Sequence, residues 1–254
     1  MKIISYNVNG IRAALKKGFA QWLAASNADM VCLQEIKAHE DQVDLACFRE
    51  IGFPHIYWMA AEKRGYSGVA ILSKHAPVHI EFGCSLDIYD CEGRVLRADF
   101  DSFSLMSIYM PSGTTGDIRQ AFKMQWLNDF FTYIMTLRQS IPNLIISGDY
   151  NICHNPIDIH DPVRNARSSG FLPEERAWVS KFLDAGFIDT FRFFNKMPHH
   201  YTWWTYRQNA RARNLGWRID YHMASETMKD RLSDASILKD VEYSDHCPIV
   251  LEIN

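Results

Sequence analysis

The sequence predicts a strand-rich α/β fold in one domain spanning 1–254, and two patterns carry that reading. Short, nearly continuous apolar runs recur along the whole chain, the mark of strands covered on both faces. Between several of them, apolar residues return at helical spacing, as in helices laid against a sheet. Composition agrees: 254 residues, 47% hydrophobic and 22% charged, exclude disorder and collagen. A chain of that length buries roughly 70–75% of the surface it would expose unfolded, so its core needs no staples.

In order, strands are predicted at Lys2–Val8, Met30–Leu33, His55–Ala61, Val69–Ser73, Val78–Phe82, Val95–Phe100, Phe103–Met110, Leu144–Ser147, Tyr201–Tyr206, Trp217–Ser225 and Pro248–Ile253. The clearest helix covers 117–138. Asp117 can cap its start, and Ile118, Phe122, Leu127, Phe130, Phe131, Ile134 and Leu137 form a stripe too broad for an exposed helix. A second begins at Pro173, suited to a first helical position, and runs through Glu174 and Glu175 to Gly186, suited to a C-cap. Two more are predicted over 12–25 and 41–51. From Ile152 to Leu172 no regular apolar period is present, and loops beyond about 12–15 residues in a domain are usually functional or disordered. This one carries Arg164, Asn165, Arg167, Ser168 and Ser169, all able to contact phosphate oxygens.

Six cysteines, at 32, 47, 84, 91, 153 and 247, include no C-x-x-C pair, so they read as reduced thiols of an intracellular, cytoplasmic protein. Polar residues interrupt Met1-Lys2-Ile3-Ile4-Ser5-Tyr6-Asn7 before a signal-peptide core could form, and no membrane partner is expected. A formal net charge of −3 excludes a wholly basic nucleic-acid binder, but not a local basic face.

Chemistry gathers where apolar strands end. Tyr6-Asn7-Val8-Asn9-Gly10, Leu33-Gln34-Glu35 and Gly148-Asp149-Tyr150-Asn151 each close a strand, and Ser244-Asp245-His246-Cys247-Pro248 precedes the last one. Singly, each Asp or Asn is more often a turn former than a ligand. If the strand ends share one rim, Asn7, Glu35, Asp149, Asn151, Asp245 and His246 form an oxygen-rich cluster with one imidazole. Such a cluster suits a Mg²⁺-dependent hydrolase of phosphate esters, because hard cations take carboxylate and carbonyl oxygens and neutralise phosphate charge.

With Gly65-Tyr66-Ser67-Gly68-Val69, Tyr109-Met110-Pro111, Ser169–Arg176 and Trp217-Arg218-Ile219-Asp220-Tyr221 added, the chain resembles the exonuclease III / apurinic–apyrimidinic endonuclease family. That family lies within the endonuclease–exonuclease–phosphatase superfamily, and the resemblance covers nearly the whole chain. The fold it implies is a four-layer α/β sandwich, with two packed, mainly antiparallel β-sheets flanked by helices. The function it implies is hydrolysis of the phosphodiester 5′ to abasic sites in duplex DNA, with 3′→5′ exodeoxyribonuclease activity, by a monomer using Mg²⁺ or, in its place, Mn²⁺. The substrates expected are duplex DNA with abasic sites or 3′-blocked ends.

By the same resemblance, Glu35 is the principal metal ligand, supported by Asn7 and Asp245, with Asn151 and His246 also at the metal centre. Asp149 activates water, Asn151 helps hold it, Tyr109 binds or protonates near the scissile phosphate, and His246, held by Asp220, stabilises developing charge. An aspartate partner fixes a histidine's tautomer and favours its charged form. The chain departs from the family's pattern at Asn9, where some members have Asp, and at Ser112 and Ser168.

The stretch His199–Asp220 alternates Trp and Tyr with Arg207, Arg211, Arg213 and Arg218 against one acid, Asp220. Aromatics that stack and cations that hold phosphates suit disrupted DNA, although Trp204 reads equally well as core. The resemblance implies that Trp203 and Trp217 line an abasic-sugar pocket while Arg207 and Gln208 enter the duplex; Arg167, Asn209, Arg211 and Arg213 complete the expected DNA face. Two other readings stay open: a phosphatase or sphingomyelinase-like phosphodiesterase of the same superfamily, and a non-catalytic DNA-binding relative.

Overall fold

In the computed structural model, which describes residues 1–254, most of the predicted strands assemble into two six-stranded sheets. The first comprises β1 (Lys2–Asn7), β2 (Met30–Gln34), β3 (His55–Met59), β4 (Val69–Ser73), β11 (Leu232–Ile237) and β12 (Ile249–Ile253), in the order β11-β12-β1-β2-β4-β3. The second comprises β5 (His79–Phe82), β6 (Val95–Asp99), β7 (Ser104–Tyr109), β8 (Leu144–Asp149), β9 (Phe187–Asp189) and β10 (Asp220–Ser225), in the order β5-β6-β7-β8-β10-β9. In each sheet the central pair is parallel, β1 with β2 and β7 with β8, and every other pairing is antiparallel.

Alternation along each strand supplies two cores at once. On β8, Leu144 and Ile146 pack under Trp126, Leu127, Phe130 and Ile134 of α5 (Asp117–Leu137) and Trp178, Val179 and Phe182 of α6 (Pro173–Asp184), while Ile145 turns to the other sheet. On β1, Ile4 and Tyr6 meet α1 (Ile11–Lys16), α2 (Phe19–Ala25) and α3 (Ala46–Glu50), while Ile3 joins the layer between the sheets. Burying each such side chain contributes roughly 1.5–3 kcal/mol. A one-residue slip would invert both faces together, so register is pinned. The outcome is helices, sheet, sheet, helices: the four-layer sandwich that the family resemblance implied.

Several boundaries differ from expectation for local reasons. The helix expected over 12–25 is two, α1 and α2, parted at Gly18, which sits at φ +95°. The helix expected over 41–51 is a 3₁₀ turn, Glu40–Gln42, followed by α3, with the Asp44 carboxylate accepting from the Ala46 amide between them. Asp117 is the first residue of α5 rather than its cap, and Ile118 is 91% exposed instead of joining the apolar stripe. Tyr201–Tyr206 is not a strand: only Trp203 forms bridges, to Trp217 and His246, and the following turn holds Gln208 and Asn209 at positive φ. Short elements went unread, namely α4 (Asp87–Asp90), α7 (Thr190–Phe194), β9 and β11. No helix is long and apolar enough to cross a membrane.

Candidate active site

Strand direction brings the chemistry together. Because β1 and β2 are parallel, as are β7 and β8, each pair delivers both C-terminal ends to one rim, pairing Asn7 with Gln34 and Tyr109 with Asp149. Antiparallel β10 begins where β8 ends, setting Asp220 opposite Asp149. Antiparallel β12 likewise begins beside the end of β1, so Asp245 and His246 just ahead of it arrive at the same rim. Gly148 lets β7 and β8 approach at that point, for a Cβ there would stand 1.9 Å from the Ile108 carbonyl oxygen. Just past the strand ends the chain turns sharply, with Asn9, Glu35, Lys37 and Asn151 all at positive φ, a cost of order 1–3 kcal/mol each that surrounding bonds must hold.

Those bonds join both sheets. The Asn7 amide donates to Glu35 Oε1 and to Asp149 Oδ2, 2.8 Å each, while its own oxygen accepts from the Asn9 backbone amide at 3.0 Å. Asn7 therefore spaces the two carboxylates through its nitrogen. Asp149 Oδ1 accepts from the Asn151 backbone amide at 2.8 Å, and the Asn151 side chain donates to the Met110 carbonyl at 2.9 Å. The Asp245 carboxylate is engaged by Asn9 at 2.8 Å and by the Trp203 indole at 3.0 Å. Lys37, which the sequence reading missed, lies 2.7 Å from Glu35 Oε2 and donates to Asn9 at 2.5 Å.

His246 stands between two aspartates, with Nδ1 2.9 Å from Asp220 Oδ2 and Nε2 3.8 Å from Asp149 Oδ2. Burial pulls its imidazole down, but Asp220, Asp149 and Asp245 outweigh that and push it up to about 10. At neutral pH it is a cation with both ring N–H groups available to donate. Burial, followed by the carboxylates of Asp220 and Glu35, pushes Asp149 up to about 7 against the pull of His246. Burial, then Glu35, holds the Tyr109 phenol well above its ordinary value, so it keeps its proton. An arginine pair backs this tyrosine: Arg94 lies 4.7 Å over its ring and donates to its carbonyl, and Arg94 and Arg119 both donate to the Tyr66 hydroxyl. Glu35, Asp149 and His246 bring donor atoms within 4.8 Å of one another. Two carboxylates at that spacing fit a hard divalent cation, while His246 Nδ1 is already bonded to Asp220.

Around this centre opens a cleft of about 800 Å³, lined by Glu35, Tyr109, Asp149, Asn151, Asp245 and His246 on its floor. Its walls are Ser112–Thr114, Gln120, Arg167–Gly170, Trp203 and Trp217. The two tryptophans stand edge to face, 6.0 Å between centroids, and form an apolar corner. The expected long loop thus supplies a wall through Arg167, Ser168 and Ser169. Arg207, Gln208, Asn209 and Arg213 are exposed on the neighbouring turn. Two arginines of the basic stretch are not free for a ligand. Arg211 donates to the carbonyls of Lys239, Val241, Ser244 and His246 and stacks on buried Trp204, so the phosphate contact expected of it is corrected to a strut under the His246 segment. Arg218 is fully buried against Asp158 at 2.7 Å and Asp189 at 2.6 Å.

Two packed sheets with an acidic, imidazole-bearing cleft at one rim are the frame of a phosphodiester hydrolase. The chain belongs to the endonuclease/exonuclease/phosphatase family, whose model matches residues 4–246. It is 43% identical over 256 residues to an exodeoxyribonuclease of Bacillus subtilis, covering 100% of both chains. It is 40% identical to the DNA repair nuclease APEX1 of Danio rerio, covering 99% of this chain and 81% of that one. An AP endonuclease structure from Archaeoglobus fulgidus superimposes with a TM-score of 0.90 at 30% identity, over 100% of this chain and 99% of the other.

Proposed function

We propose that this chain is a DNA-repair nuclease that hydrolyses the phosphodiester 5′ to abasic sites in duplex DNA and removes nucleotides or blocking groups from 3′ ends. The observation that carries the reading is the joining of the Glu35–Asp149–His246 centre to the Trp203–Trp217 corner within one cleft. A baseless sugar flips out at low cost, since there is no base to unstack, and an apolar corner beside a phosphate-cleaving centre selects for it. The relatives' names, exodeoxyribonuclease and DNA repair nuclease, support the same substrate class. A small-phosphate or lipid phosphodiesterase has no use for the exposed Arg207–Arg213 turn or the Arg167 wall.

The residues divide the work. Asp149, spaced from Glu35 by Asn7, orients the attacking water and takes its proton. His246, kept charged by Asp220, donates to a non-bridging phosphate oxygen and stabilises the charge that develops there. Neutral Tyr109 donates nearby, and Asn151 steadies water and phosphate. Glu35 and Asp149 would hold a Mg²⁺ ion, with Mn²⁺ able to replace it; when bound, the ion supplies Lewis acidity and offsets phosphate charge. Arg167, Arg207, Gln208, Asn209 and Arg213 grip the backbone on either side, and the chain acts as a monomer. A duplex carrying one tetrahydrofuran abasic analogue is expected to be cut with Mg²⁺ and left whole in excess EDTA. Undiminished cutting in EDTA would overturn the role given to the metal.

A further inference from the structure

A fully buried ion pair lies behind the cleft, and nothing in the mechanism above uses it. Lys123, on α5, and Glu175, on α6, are both 0% exposed and their charged atoms lie 2.6 Å apart. Neither is there to close a helix contact alone, because each spends its remaining capacity on backbone at the site. Lys123 Nζ donates to the carbonyl of Asn151 at 2.9 Å. Glu175 Oε2 accepts from the amides of Gly170 at 2.6 Å and Leu172 at 3.0 Å. Its Oε1 accepts from the Gln120 amide at 3.1 Å, and Gln120 in turn accepts from the Ser169 hydroxyl at 2.7 Å. Gly170 has no room for a side chain: a Cβ would lie 2.9 Å from the Trp217 ring and 3.1 Å from the Asn151 carbonyl. The turn held by Glu175 is therefore the surface on which Trp217 rests.

We infer that Lys123 and Glu175 are positioning residues that fix the catalytic Asn151 relative to the sugar-pocket wall formed by Ser169, Gly170 and Trp217. The inference rests on the nuclease reading above and extends it. Two elements distant in sequence, the strand end carrying Asp149 and Asn151 and the turn leading into α6, have few direct bonds of their own: the Cys153 amide to the Gly170 carbonyl at 2.7 Å is one. The ion pair adds a link between them from below, out of solvent, where charge-assisted bonds are strong and hard to deform. Misplacing reacting groups by about 1 Å can cost 100-fold in rate, so such a link acts on chemistry more than on DNA affinity. The stretch Ser169–Arg176, which the sequence marks without a role, thereby gains one through Glu175.

The test compares Lys123→Met and Lys123→Arg with the wild-type chain, after thermal unfolding has verified that each is folded at the assay temperature. Lys123→Met is expected to lower single-turnover cleavage of saturating tetrahydrofuran duplex about 10- to 100-fold, while its affinity for that duplex in EDTA changes less than about threefold. Amide hydrogen exchange in 168–172 should rise, with β7 and β8 unchanged. Lys123→Arg, which keeps the charge and the donors, should recover most of the rate. If the lone buried carboxylate stops Lys123→Met from folding, Lys123→Met/Glu175→Gln, which leaves no lone charge, takes its place with the same expected outcome. Folded variants that cleave at the wild-type rate, a loss explained by affinity alone, or failure of both variants to fold would overturn the inference. A wild-type chain inert on this duplex would instead overturn the nuclease reading.

Discussion

Asp149→Asn is expected to reduce single-turnover cleavage of the abasic duplex by about 10³- to 10⁴-fold, the upper part of what a positioned base contributes. The substitution keeps size and shape, and its oxygen can still accept from Asn7, so the fold around the rim should survive. What disappears is the ability to take a proton from water, together with one of the two carboxylates proposed to hold Mg²⁺. DNA affinity in EDTA should hold or improve, since one negative charge leaves a cleft meant for phosphate. The pH profile gives a second signature. Burial and its neighbouring carboxylates hold Asp149 near 7, and only the deprotonated form acts as a base. Wild-type activity should therefore rise with pH through about 7, with the midpoint falling as Mg²⁺ is raised, because added positive charge favours the carboxylate. The variant should lose this rise. A variant retaining the rise and more than a tenth of the rate would assign the base elsewhere.

His246→Ala is expected to cost about 10²- to 10³-fold in the bond-breaking step, the range for losing one donor to a developing oxyanion. Binding should change far less. The imidazole is 3% exposed and its charge is held by the buried Asp220 carboxylate, so it is spent on the transition state instead of on capturing DNA. Asp220→Asn should reproduce part of the loss, since an amide no longer favours the charged ring. Equal losses in affinity and rate would make His246 a binding residue.

The centre of the site was legible before any coordinates because strand ends are informative. Asn7, Glu35 and Asp149 terminate runs that could only be strands, and once topology brings parallel strand ends to one rim, their meeting follows. Val69–Ser73 was readable as an unbroken apolar run, and the 117–138 helix by apolar residues recurring at helical spacing over a long segment. The three-residue β9 has too few positions to show either pattern. The half-buried β11 carries a register shift between Leu232 and Asp234 that breaks its alternation. The basic stretch misled in a different way. Nothing near Arg211 in sequence hints that carbonyls some thirty residues later would consume its guanidinium, or that Asp158 and Asp189 would neutralise Arg218. Long-range neutralisation leaves no local trace, and Lys123 with Glu175 is another case: each reads alone as an ordinary helix-surface charge.

Water-driven scission at the phosphate 5′ to an abasic site is tested directly by incision in ¹⁸O-labelled water. A duplex bearing one natural abasic site is cut with Mg²⁺ in a single turnover, and both fragments are weighed by mass spectrometry. The expected products are an upstream fragment ending in an unlabelled 3′-hydroxyl, and a downstream fragment whose 5′-phosphate has gained one ¹⁸O and still carries the abasic sugar. An upstream fragment ending in an unsaturated aldehyde, or a downstream phosphate with no label, would contradict water-driven scission.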